Sequence, residues 1–159
     1  VTDGTARVVI VGGSIGGVST ASALRAGGFD GEVVLVDGGA EFPIDRTPLS
    51  KEYLAGTRTL AEIALEQPEW YADHQVQLLV RTRVTALRPG DGAVELADGT
   101  LLTADRVVLA TGGRPARPLF PGAGIGGVHV LRSVDDADRL REAVGDGTRV
   151  LVIGSGLVG

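Results

Sequence analysis

Arg7-Val8-Val9-Ile10-Val11-Gly12-Gly13-Ser14-Ile15-Gly16-Gly17 decides how the rest of this chain is read. Arg7–Val11 is an apolar, β-branched run of strand length, Gly12–Gly17 is a glycine-rich turn, and Val18–Ala26 reads as helix. A second apolar run follows at Glu32–Asp37. Runs that are apolar at nearly every position mark strands buried on both faces of a parallel sheet, so the order strand, turn, helix, strand predicts a βαβ unit. Glycine lets such a turn bend sharply and lets its backbone approach a pyrophosphate, while the amides and dipole of the helix N-terminus favour the negative charge. Gly17, as third glycine of the turn, permits close helix–sheet packing. Ser14 occupies the middle glycine position; it is small and brings a hydroxyl, but narrows the backbone approach. Asp37 ends the second strand twenty residues past Gly17, where a carboxylate accepts hydrogen bonds from an adenosine ribose.

A second turn of the same kind closes the sequence. Thr148–Ile153 reads as a strand running into Gly154-Ser155-Gly156-Leu157-Val158-Gly159, a full G-x-G-x-x-G. Two dinucleotide-binding turns in one chain imply passage of electrons from one dinucleotide to another. With 159 residues, 43% of them apolar, there is material for one domain and the opening of a second. The expectation is a soluble, cytoplasmic protein: no apolar run approaches bilayer-spanning length, and the start lacks the layout of a signal peptide. A net charge of −5, spread along the chain, argues against a nucleic-acid groove. The absence of cysteine rules out a redox-active thiol pair and thiolate ligation of zinc or iron–sulfur clusters within these residues.

Between the two turns, residues 38–48 form a polar, proline-bearing loop, followed by an expected short helix over Leu49–Ala55. Pro68–Gln75 reads as helix, with Trp70 and Tyr71 as core anchors. Short runs at Val76–Val80, Arg83–Leu87, Ala93–Leu96, Leu101–Thr103 and Arg106–Leu109 are punctuated by Asp91-Gly92 and Asp98-Gly99, which predicts a β-meander crossing back into the main sheet. Arg114–Gly127, rich in proline and glycine, reads as a linker. Ser133 or Asp135 is expected to cap a helix reaching Val144, with Asp136, Arg139 and Glu142 on its solvent side. The histidines, His74 and His129, lack metal-ligand spacing, and Asp135, Asp136 and Asp138 read as solvated charge at a helix start, so no metal site is expected.

Asp45–Leu54, with Arg46-Thr47-Pro48-Leu49-Ser50-Lys51 at its heart, resembles the D-R-P-P-L-S-K-x-x-L signature of the FAD-dependent ferredoxin reductases. That group includes the putidaredoxin, rubredoxin and biphenyl-dioxygenase ferredoxin reductases. The resemblance continues through Pro68-Glu69-Trp70-Tyr71, Thr82–Leu87, Asp105–Pro115 and Val130–Ala137, in that order. It implies an α/β fold: a Rossmann-like FAD-binding domain of parallel sheet plus β-meander over residues 1–115. Residues 116–159 would then be a linker and the first strand of a second, NAD(P)H-binding domain, truncated here.

The resemblance also implies roles. Gly12, Ser14, Gly16 and Gly17 line the FAD pyrophosphate, and Asp37 holds the adenosine ribose. Arg46 offers a planar fork of donors, whereas Lys51 is a point charge near the flavin ring and the candidate catalytic residue. Val84 meets the adenine through its backbone, Thr111 and Gly112 close over the cofactor, and Arg132 is a further FAD contact. Gly154, Gly156 and Gly159 open the NAD(P)H site. The implied activity is electron transfer from NAD(P)H as substrate, through FAD, to a [2Fe-2S] or related ferredoxin. That ferredoxin would serve a downstream oxygenase system of the cytochrome P450 or Rieske type. Two alternatives stay open: a non-catalytic nucleotide-binding fragment of such a flavoprotein, and an NADH oxidase or peroxidase-type flavoenzyme. No nucleic-acid or membrane partner is expected.

Overall fold

The computed structural model describes residues 6–116 and 119–154. They divide into two compact units, one built from Val1–Asp45 with Ala64–Gly112 and the other from Arg46–Ile63 with Gly113–Gly159.

The first unit starts with the expected βαβ: strand β1 (Arg7–Val11), helix α1 (Ile15–Ala26) and strand β2 (Glu32–Val36). A short helix α2 (Pro68–Asp73) leads into β3 (Val76–Leu79). There follow β4 (Val84–Arg88), β5 (Ala93–Leu96), β6 (Leu101–Thr103) and β7 (Arg106–Leu109). Four strands form a sheet in the order β3-β2-β1-β7, and every pairing in it is parallel. The other three form an antiparallel sheet in the order β4-β5-β6. The five short runs after residue 75 are thus shared between the sheets: the first and last join the parallel sheet and the middle three make the meander.

Alternation along the inner strands explains why β1 and β2 are apolar throughout. Val8 and Ile10, with Val33 and Leu35, face one side and pack with Val18 and Ala21 of α1, Tyr71 of α2 and Val76. Val9 and Val11, with Val34 and Val36, face the other and pack on Val94 and Leu96 of β5. The sheet is covered by a helix on one side and the meander on the other, each buried aliphatic side chain contributing about 1.5–3 kcal/mol. The order steps from β1 to β2 and β3 on one hand and to β7 on the other. Such a reversal opens a crevice at the carboxyl ends of the central strands, where open α/β sheets bind ligands. Gly12 stands at that crevice.

Arg25 ties the far end of this unit together. It donates from Nε to His74 O (2.8 Å), from Nη2 to Gln75 O (2.8 Å) and from Nη1 to Phe29 O (2.6 Å) and Gly31 O (2.8 Å). One guanidinium therefore joins the end of α1, the turn into β2 and the turn into β3.

In the second unit, residues 47–50 form a 3₁₀ turn rather than the start of the expected helix over Leu49–Ala55. Lys51 departs from helical geometry (φ −131°, ψ −107°), so residues 51–56 continue as turns. Helix α3 (Val134–Ala143) is capped by Ser133, as expected. Asp136 is not on the solvent side: its carboxylate accepts from the amides of Ser133 (2.9 Å) and Arg132 (3.1 Å), completing a capping box. Thr148–Ile153 forms no strand; Leu151 is 84% exposed and Val150, Val152 and Ile153 are also exposed. An apolar run becomes a strand only where a neighbour completes its ladder, and none of the described strands pairs with it.

Replacing Arg25 by alanine is expected to leave carbonyls of two segments, the turns into β2 and β3, without a donor and to lower unfolding free energy by about 2–3 kcal/mol. Urea denaturation of the ligand-free protein measures this, and a shift within about 0.5 kcal/mol would contradict it.

Candidate functional site

The turn after β1 is shaped by places where no side chain fits. Gly12 continues the ladder by donating to Val36 O (2.8 Å) and holds φ +115°, a conformation that favours glycine. A Cβ on it would strike the carbonyl oxygen of Ala110, at the end of β7. A Cβ on Gly17 would strike the carbonyl oxygen of Gly12 and approach Leu35 Cδ1 to 3.1 Å. Gly16 is different: a Cβ there meets only Ala110 Cβ at 3.7 Å, an ordinary contact, and the residue is exposed. Packing within the fold therefore does not require a glycine at residue 16.

Ser14 is the N-cap of α1, yet its hydroxyl makes no capping hydrogen bond, and the first turn carries no acidic side chain. The first amides of a helix have no intrahelical partner. At this end of a 12-residue helix they meet neither a capping hydroxyl nor a carboxylate, an arrangement suited to an anion. Together with the Gly12–Gly17 cradle, it fits a dinucleotide pyrophosphate.

Asp37 lies beside this turn. A Cβ on Gly13 would sit 2.7 Å from Asp37 Cβ, and one on Gly39 would sit 2.9 Å from its Oδ2, so both flanking glycines make room for the carboxylate. The backbone of Asp37 is fixed by donation to Leu79 O (2.8 Å) and acceptance from the Thr82 amide (2.9 Å). The Arg81 amide donates to Gly39 O (2.8 Å), so residues 81–82 clasp residues 37–39. Val84 begins β4 two residues past Thr82, opposite Leu96, and a bulge at Thr85 follows. Thr111 and the positive-φ Gly112 (φ +64°) continue β7 past the Ala110 carbonyl that packs on Gly12. The fold thus brings Gly12, Ser14, Gly16, Gly17, Asp37, Thr111 and Gly112 to the carboxyl ends of β1, β2 and β7, with Val84 linked through the 81–82 clasp. Sequence reasoning passed over Gly13, whose signal was the Gly-Gly doublet, and Arg81, whose φ of +53° nothing local announces.

The second unit carries a cleft of about 380 Å³ lined by Arg46, Thr47, Leu49, Ser50 and Lys51 on one side and Leu131 and Arg132 on the other. Three cations around one cavity favour an anionic ligand. The walls are fixed from behind. Leu49 and Tyr53 are buried; Tyr53 donates its hydroxyl to Asp138 Oδ1 (2.9 Å); and Arg141, its guanidinium 4.8 Å from the Tyr53 ring centre, donates to the carbonyls of Tyr53 and Leu54. The Arg132 backbone is set by donation of its N–H to Asp136 Oδ2 (3.1 Å). Burial, the largest influence on the Asp136 carboxyl, acts to raise its pKa. Hydrogen bonds from Ser133, Arg139 and Arg132 outweigh it and hold the group below the usual carboxylate range. Among the described residues no cluster of His, Asp or Glu could hold a metal, and no helix is long and apolar enough to cross a membrane. Of the terminal turn, Gly154 holds φ +132°; Gly156 and Gly159 lie outside the described residues.

The sequence profile of the family described as pyridine nucleotide-disulphide oxidoreductase matches residues 6–159. Putidaredoxin reductase CamA of Pseudomonas putida is 43% identical over 157 residues, a match covering 96% of this chain and 37% of that protein. The ferredoxin–NAD(+) reductase subunit of the benzene 1,2-dioxygenase system of Pseudomonas putida is 36% identical, with 96% and 37% covered. The crystal structure of the covalent putidaredoxin reductase–putidaredoxin complex superposes with a TM-score of 0.79 at 42% identity, covering 89% of this chain and 34% of that one. The chain spans about 37% of the length of these curated relatives.

The two adjacent glycines separate fold from ligand. Gly17→Ala is expected to destabilise the ligand-free protein by about 1–3 kcal/mol through overpacking, whereas Gly16→Ala leaves its stability unchanged and weakens FAD binding. Thermal unfolding and flavin titration of both variants check this, and identical behaviour in both assays would contradict it.

Proposed function

The chain belongs to the pyridine nucleotide-disulphide oxidoreductase family, and on that premise we propose that it is the FAD-binding part of an NAD(P)H-dependent ferredoxin reductase. The observation that carries this reading is the Gly12–Gly17 cradle with Asp37 set beside it, in a sequence 43% identical to a putidaredoxin reductase. In the first unit, the α1 amides would hold the pyrophosphate, Asp37 would accept from the adenosine ribose, and Val84 would meet the adenine. Thr111 and Gly112 would close over the cofactor. In the second unit, Arg46 and Arg132 would bind anionic groups of the cofactor by hydrogen bonds, and Lys51 would act as a fixed positive charge on the reduced flavin.

The bound flavin would supply the exchange between a two-electron nicotinamide donor and one-electron acceptors. The partner would be a [2Fe-2S] or related ferredoxin serving a P450 or Rieske-type oxygenase, and Gly154, Gly156 and Gly159 would open the NAD(P)H site. This chain contains no cysteine, so none of its residues provides the thiol of a disulfide or peroxide reaction. That favours ferredoxin over peroxide as the electron acceptor.

Steady-state NADH and NADPH oxidation by the full-length protein, with ferredoxin, oxygen or peroxide as acceptor, tests the activity. Turnover is expected to be fastest with ferredoxin, and faster turnover with oxygen or peroxide would contradict the reading. Arg46→Ala is expected to weaken FAD binding by about 1.5–3 kcal/mol, roughly tenfold to a hundredfold. Lys51→Ala should retain FAD while its flavin midpoint potential falls, because a charge favouring the reduced anion is lost. Unchanged affinity in the first and unchanged potential in the second would return both residues to an ordinary solvated loop.

A further inference from the structure

Lys51 opens a single turn of chain that closes at Gly56. The Ala55 amide donates to Lys51 O (2.8 Å), the Gly56 amide to Tyr53 O (3.0 Å) and the Thr57 amide to Glu52 O (2.9 Å), with Gly56 at φ +74°. The last two bonds are the pair that ends a helix on a left-handed glycine. One turn fixes several residues for few hydrogen bonds and does not persist by itself.

Helix α3 supplies what the turn lacks. Arg141 donates to the carbonyls of Tyr53 and Leu54, the latter at 3.3 Å, with its guanidinium 4.8 Å from the Tyr53 ring centre. A donor and a positive charge thus meet the carbonyl end of the turn, where both are favoured. Tyr53 is buried and donates its hydroxyl to Asp138 Oδ1 (2.9 Å), three residues before Arg141 on the same helix. Arg141 itself does not line the cleft, whereas Lys51 lines one wall and Arg132 the other. Arg132 directly precedes α3 and is tied to it by the bond from its N–H to Asp136 Oδ2. One helix therefore carries Arg132 at its start and grips the turn of Lys51 from its middle.

We propose that Arg141 is a positioning residue for Lys51: by capping the turn of residues 51–57 from α3, it keeps the Lys51 ammonium in the cleft opposite Arg132. This inference rests on the assignment of Lys51 to the reduced flavin.

The test uses the full-length protein and reads two quantities, amide exchange at residues 55–57 without ligand and the flavin midpoint potential with FAD bound. Arg141→Ala is expected to speed exchange at Ala55, Gly56 and Thr57 roughly tenfold, the loss of one charge-assisted hydrogen bond. It should also lower the potential, as Lys51→Ala does, and lower it no further in a Lys51→Ala background. Arg141→Lys keeps the charge but not the planar fork that spans two carbonyls, so it should restore the potential only in part. Tyr53→Phe, a milder change that removes the hydroxyl bonded to Asp138, should speed exchange at the same amides. Full restoration by lysine, or an equal fall in potential with and without Lys51, would mean that Arg141 acts on the flavin through its charge alone and overturn the proposal. Unaltered exchange in both Arg141→Lys and Tyr53→Phe would overturn it too. So would an unchanged potential in Arg141→Ala while Lys51→Ala lowers it, which leaves the flavin assignment of Lys51 standing. An unchanged potential in Lys51→Ala would overturn that assignment and the inference with it.

Discussion

Three backbone segments meet at Gly12 with no room for a single extra carbon. The glycine carries on from β1, the Ala110 carbonyl at the end of β7 occupies the place of its Cβ, and its own carbonyl occupies the place of a Cβ on Gly17. This contact fixes where α1 starts relative to the sheet, because α1 approaches closely only if residue 17 has no side chain. Once α1 is fixed, the position of its uncapped N-terminus at the carboxyl end of β1 follows from the packing. Replacement of either glycine would alter the sheet, the helix and the site together.

The second constraint is that β1 and β2 are apolar on both faces and so need two covers. A helix supplies one and the antiparallel meander the other, with Val94 and Leu96 closing the side that α1 does not reach. The meander also returns the chain to the site: the turn entering β4 clasps Asp37-Gly38-Gly39 through the amides of Arg81 and Thr82. The cover of the core and the wall beside Asp37 are one piece of chain.

The parts legible in the sequence were those with local signals. Apolar runs around a glycine turn announced β1, α1 and β2; Ser133, one of two candidate caps, announced the start of α3, but the role of Asp136 in that cap was missed. What was not legible depends on distant partners. The run at Val76 looks like the meander strands after it, and only its ladder with β2 places it in the parallel sheet. Apolar residues 148–153 carry a strand pattern that no described strand completes. Leu49–Ala55 has helical composition, but the 3₁₀ turn at Pro48 and the geometry of Lys51 end the helix at once. Likewise, nothing local says that residues 46–63 pack with residues after 113, or that Arg132 lines the same cleft as Arg46.

The most direct measurement is hydrogen–deuterium exchange at the backbone amides of residues 13–18 in the full-length protein, with and without FAD. If these amides hold the pyrophosphate, exchange at Ile15, Gly16 and Gly17 slows markedly on adding FAD, while exchange at the opposite end of α1, around Arg25, is unaltered. Equal exchange at residues 15–17 with and without bound FAD would contradict the account.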